Sequence, residues 1–116
     1  MKKLIASASC AFALCAACAS VPVPNDQKTA SQSAFRGAQE AGAENNPQAR
    51  LALQLSADEN SQADQLVQQG KNIEAAALYN RARADAELAI GLARQAQADM
   101  NARAEADKVA QLQGTP

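Results

Sequence analysis

Beyond residue 24 the apolar positions of this chain recur every third or fourth residue, the spacing that lines one face of an α-helix. Ala30, Ala34, Phe35, Ala38 and Ala41 predict a first helix from Asn25 or Asp26 to about Ala41, with Gly42 as its stop. Asn46 and Pro47 restart the chain, since an Asn side chain caps orphan N–H groups and proline lacks the N–H that the first helical position would leave unpaired. A second helix is predicted from Pro47 to about Gln69, with Leu51, Leu55, Ala63 and Leu66 on its packing side and Gly70 as its left-handed cap. The third, capped by Asn72, has no break other than Gly91 until Gly114, so about 40 residues make it about 60 Å long. Ala75, Leu78, Ala82, Ala86, Ala89, Ala93, Ala96 and Met100 form its packing stripe, with Leu88 and Ile90 beside it.

The second helix has only about half that length. If the two pack antiparallel across the Gly70 turn, the third passes the start of the second near Gln95 and overhangs beyond it. The overhang carries Ala98, Ala102, Val109 and Leu112 at heptad-like spacing, interrupted by Glu105, a weak seam for pairing with another chain. The expected fold class is all-α: a short helix, then a helical hairpin with a long overhanging third helix. Small side chains along the stripe permit close helix approach.

A different pattern precedes residue 20. Lys2 and Lys3 are followed by roughly fourteen apolar or small residues, Leu4 to Ala17, a length that suits a secretory signal and falls short of the ~20 needed to span a bilayer. Three cysteines lie within or beside it. Bacterial lipoprotein signals resemble Leu, small, small, Cys, because the peptidase needs small side chains before the acylated thiol. Cys18 fits best, preceded by Ala16 and Ala17 and followed by polar sequence, although Cys15 stands where leucine is usual. The alternative is an ordinary signal cut at a small-x-small site such as Ala17-Cys18-Ala19. The expected organisation is a signal peptide at 1–17, the lipidated Cys18 and a Pro-containing tether at 18–25, a helical domain at 26–113 and a tail at 114–116. Pro22 and Pro24 favour an extended tether that would hold the domain about 20 Å off the membrane.

Composition narrows the chemistry. Cleavage before Cys18 removes Cys10 and Cys15, leaving no free thiol, and there is no His, so a Cys/His metal site and the commonest general base are absent together. Removal of Lys2 and Lys3 leaves nine basic residues against 12 acidic ones, a net charge near −3 that argues against nucleic acid as a partner. Alanine makes up about a quarter of the 116 residues, and Phe35 and Tyr79 are the aromatics beyond the signal. The core must therefore be thin, while helix propensity is high throughout.

Three stretches, Ala38 to Ala43 before Pro47, Gly70 to Ala76 at the turn, and Ala82 to Ala89, resemble the bacterial envelope lipoprotein family known by its domain of unknown function, number forty-three ninety-eight. This chain departs from it at Asn45-Asn46 and at Ile73. The likeness covers roughly Ala30 to Ala98 and implies a short Ala-rich lipoprotein of the Gram-negative envelope, of a kind sometimes joined to OmpA-like domains, with no established activity. The Leu51 to Ala89 hairpin also resembles a single tetratricopeptide unit, which by itself cannot make a solenoid.

Function is expected to be non-catalytic. Asp58 with Glu59, and Asp85 with Glu87, are close in sequence but point in different directions on a helix, and Arg81, Arg83, Arg94 and Arg103 are spaced to meet Asp85, Glu87 and Asp99. Asp85 would need a hydrogen-bond partner if it lies in a helix crossing. The expectation is an interaction module anchored in the outer membrane through Cys18 and facing the periplasm, with no cofactor or metal. Its partner would be an envelope protein such as an OmpA-like protein, or a second copy, docked on Ala98, Ala102, Val109 and Leu112. A chaperone-like binder of outer-membrane clients or lipids is the alternative. Ala19 follows the lipidated Cys in place of the Asp associated with inner-membrane retention.

Overall fold

The computed structural model describes residues 20–114. The expected signal peptide at 1–17, the acceptor Cys18 and the last two residues of the tail lie outside the described residues. Three helices follow in order: α1 (Asn25–Glu40), α2 (Pro47–Gln68) and α3 (Asn72–Gln113), with a short 3₁₀ turn, Ala43–Asn45, between the first two. The molecule is all-α, as the periodicity predicts. Among the described residues no helix is long and apolar enough to cross a membrane.

The connections follow from local chemistry. Gly42 at φ 77° ends α1, its N–H bonding the Gln39 carbonyl, and Gly70 at φ 74° ends α2. At that second end the Lys71 N–H reaches the Leu66 carbonyl while the Gly70 N–H reaches Val67, both 2.9 Å, the paired bonds of a Schellman turn. Asn46 caps α2, its Oδ1 accepting from the N–H groups of Gln48 and Ala49 at 3.0 and 2.9 Å. Asn72 behaves otherwise. It is the first residue of α3 and makes no cap; its Nδ2 donates to the Val21 carbonyl at 2.6 Å.

Helix α2 runs antiparallel to α3, and α1 lies chiefly against α3, parallel to it, with a lesser contact to α2. The start of α1 is therefore beside the start of α3, and near its other end a Cβ added at Gly37 would lie 3.5 Å from the Ile90 side chain. The core is largely alanine. Ala38, Ala43, Ala49, Ala52, Leu53, Ala89 and Ala93 form one cluster, flanked by Phe35 and Ile90, and Ala63, Ala75 and Tyr79 form a second.

This packing corrects two sequence expectations. Leu51 and Leu55 face outward, Leu51 60 % exposed, while Leu53 is 5 % exposed. The buried stripe of α2 runs through Ala49, Ala52, Ser56 and Ala63, and Leu51 lies about a quarter turn or more off it. Backbones this close admit alanine and serine at the crossing and leave no room there for a row of leucines. On α3 the buried stripe is Ala75, Tyr79, Ala82, Ala86, Ala89 and Ala93, so Tyr79 takes the place expected for Leu78, which is half-buried, and Leu88 and Met100 are exposed.

The expected overhang is present. Residues from Gln97 onward are all exposed as far as Gly114, whereas Ala96 is half-buried against the end of the bundle. Within the described part of the expected tether, Pro24 is buried at the head of α1, its carbonyl accepting from Lys28 N–H at 3.0 Å, and the Val21 carbonyl accepts from Asn72.

Candidate functional site

Two regions carry polar or exposed groups that the core does not explain. The first lies at the edge of the second cluster. There Lys28 of α1, Asp64 of α2 and the buried Tyr79 of α3 meet, with half-exposed Lys28 Nζ 2.7 Å from half-exposed Asp64 Oδ1 and the Tyr79 hydroxyl donating to the same oxygen. Burial alone would raise the Asp64 carboxyl, but the hydrogen bonds from Lys28 and Tyr79 outweigh it and hold it below the ordinary range. Burial and the neighbouring carboxylate push the Tyr79 phenol strongly upward, so it stays a donor. Sequence reading missed this three-helix tie. Its only signal was that Tyr79 lies four residues after Ala75 and three before Ala82, on the stripe itself.

Near it, Glu59 is 6 % exposed, and its Oε1 lies 2.6 Å from Arg81 Nε. Arg81 thus reaches across to α2 instead of meeting Asp85 within its own helix, whereas Arg83 pairs with Glu87 at 3.1 Å as the spacing suggests. Asp85 faces Glu59. Burial first, and then the Asp85 carboxylate, raise the Glu59 carboxyl above its usual value in spite of Arg81. Its Oε2 is buried with no donor. Ser31 adds a neutral link, its Oγ donating to Asn60 Oδ1 at 2.7 Å while Asn60 Nδ2 donates to the Ser56 carbonyl. This belt ties the helices together, and Glu59 is too enclosed to meet a substrate.

The two acids act oppositely on stability. A raised carboxyl binds its proton more tightly in the folded chain, so the stabilisation from Glu59 is complete below its unfolded value of about 4.3 and is lost as pH rises through the folded value. Asp64, held low, contributes above about 3.9 and loses its contribution as pH falls further. Urea unfolding of Glu59→Gln should therefore show a shallower decline than the native chain as pH rises above the ordinary glutamate value, and Asp64→Asn a smaller drop as pH falls below the ordinary aspartate value. Parallel curves for native chain and variants would refute both assignments.

The second region is the outer face of α3. Ala98, Ala102, Val109 and Leu112 are all exposed and share one side of the overhang. Each buried position of α3 has an exposed one two residues on, a rotation of about 200°. The expected seam therefore lies opposite the bundle and continues back along the paired part: Ala77, Ala84, Gly91 and Ala98 recur every seventh residue, with Leu88, Ala102 and Val109 between and beyond them. Glu105 interrupts it, paired with Lys108 at 2.7 Å. A Cβ added at Gly91 would meet nothing within 4 Å. Glycine in mid-helix costs about 1 kcal/mol relative to alanine, and nothing in this chain's packing requires it here.

Among the described residues no three acidic, Cys or His side chains group as metal ligands. The acceptor Cys18, the remaining residue expected to be functional, lies outside the described residues. No family model, no curated protein and no solved structure matches this chain.

Proposed function

We infer that this chain is a non-catalytic interaction module of a bacterial envelope, anchored in the outer membrane through lipid on Cys18, which docks a helix of a partner protein on the outer face of α3. The reading is supported above all by Gly91, a mid-helix glycine aligned with Ala77, Ala84 and Ala98 on a face the bundle leaves uncovered. Small residues at every seventh position let a second helix approach closely, and Leu88, Val109 and Leu112 supply apolar contact along its length. The partner is an envelope protein, an OmpA-like protein being one candidate and a second copy another.

Gly91→Leu separates this role from stability. Leucine favours the helix and meets open space, so the monomer should gain about 0.5–1 kcal/mol in urea unfolding. The same side chain blocks close approach, so pull-down from solubilised envelopes should lose the stoichiometric partner, and sedimentation should lose any dimer. Undiminished recovery would show that the partner docks elsewhere. Recovery of many substoichiometric clients by the native chain would favour a chaperone-like role instead.

A further inference from the structure

We propose that the tether-bearing end of the bundle seats on a zwitterionic phospholipid surface, with Val21, Val23 and Ile73 in the interfacial layer; this rests on the reading that Cys18 is acylated. The geometry carries it. The Asn72 Nδ2 to Val21 carbonyl bond and the buried Pro24 fix the chain to the bundle from Val21 onward. Three residue steps separate Val21 from Cys18, a span of at most about 11 Å. Acyl chains attached at Cys18 lie in the hydrocarbon, so Val21 can stand no farther than that span from the acylated residue. Three of the side chains turned out at that end are apolar: Val21 is 45 % exposed, Val23 48 % and Ile73 66 %, and the three border one groove between the tether and the start of α3. Isoleucine in the first turn of a helix, two-thirds exposed beside two exposed valines, makes with them an apolar patch that the interfacial layer would cover.

Charge selects the surface. Asp26 lines the groove, and Glu74 and Lys71 adjoin its residues Ile73 and Asn72 in the chain, so this end has no excess of positive charge for strongly anionic lipid. A zwitterionic headgroup layer fits it. Seated in this way, the bundle directs α3 away from the attachment point, and the overhang reaches as much as about 60 Å from the anchored end. The small-residue face is thereby presented away from the bilayer.

The chain has no Trp, so a single introduced Trp reports its own surroundings. The acylated full chain carrying Ile73→Trp, placed on phosphatidylcholine vesicles with brominated acyl chains, should show blue-shifted emission and about twofold or greater quenching, at the depth of 5–10 Å at which interfacial residues sit. Val23→Trp should behave alike, and Leu112→Trp should stay water-exposed and unquenched. Water-like, unquenched emission at both 73 and 23 in protein shown by mass to be acylated overturns the docking while leaving the anchor intact. A full chain recovered from membranes without acyl mass overturns both the anchor and this proposal. Quenching that appears only when anionic phosphatidylglycerol is added overturns the stated lipid class.

Discussion

Replacing Tyr79 with alanine is expected to cost about 3–5 kcal/mol, the loss typical of deleting a buried aromatic ring. Tyr79 is 1 % exposed and is the largest fully buried side chain of a core otherwise built mainly of alanine. It also closes the hydrogen bonding among the three helices, through Asp64 to Lys28. Domains of this size are stable by about 5–15 kcal/mol, and a core of one-carbon side chains falls toward the lower end, so the variant should be substantially unfolded at room temperature by circular dichroism. Tyr79→Phe retains the ring and loses only the donor to a half-exposed carboxylate. Its expected cost is about 1–2 kcal/mol. Leu51→Ala, on the exposed side of α2, should stay within about 0.5 kcal/mol of the native chain in the same urea titration. Equal effects at Tyr79 and Leu51 would mean that the buried stripe has been assigned to the wrong face.

The second large effect is expected at Cys18. Cys18→Ser should move the whole membrane-bound pool to precursor or to the soluble fraction, because the serine hydroxyl does not replace the thiol as acyl acceptor. Each buried methylene of an acyl chain contributes about 0.8 kcal/mol, and stable anchoring requires more than one chain or a second attraction. The apolar groove at the tether end adds contact but is too small to hold the protein on a membrane by itself. Cys10→Ser and Cys15→Ser should leave both acyl mass and fractionation unchanged. Retention of lipid in Cys18→Ser would place the acceptor at another residue, and a soluble, unacylated native protein would favour the ordinary signal cut near Ala17-Cys18-Ala19.

What was legible in the chain and what was not divide along the range of the interactions involved. Helix boundaries depend on groups within four or five residues of one another: Asn46 reaching back N–H groups two and three residues on, Pro47 at a position that needs no donor, Gly42 and Gly70 supplying positive φ. Those could be read directly, and they settled the all-α class and the length of α3 relative to α2, hence the overhang. Asn72 shows the limit of such reading. Its side chain had a local use as a cap, and a carbonyl 51 residues away in sequence took its donor instead.

Which face of each helix turns inward was decided only in three dimensions. In a chain about a quarter alanine, apolar periodicity is nearly as good on several faces, so the larger residues were the natural guide, and on α2 they pointed the wrong way. Close backbone approach favours the face with the smallest side chains, because short contacts along the whole crossing outweigh the transfer of two leucines. The same closeness turned Glu59 inward against Arg81 and Asp85 and brought Lys28, Asp64 and Tyr79 to one point, contacts between residues up to 36 positions apart in the chain. It also left the opposite side of α3 uncovered from Ala77 to Leu112, of which the sequence had shown only the last four positions as a seam. The sequence by itself determined the three helices, their ends and the candidate anchor; the tertiary structure decided which residues are core and which face is free, because that choice depends on how near neighbouring backbones come, a distance no single helix contains.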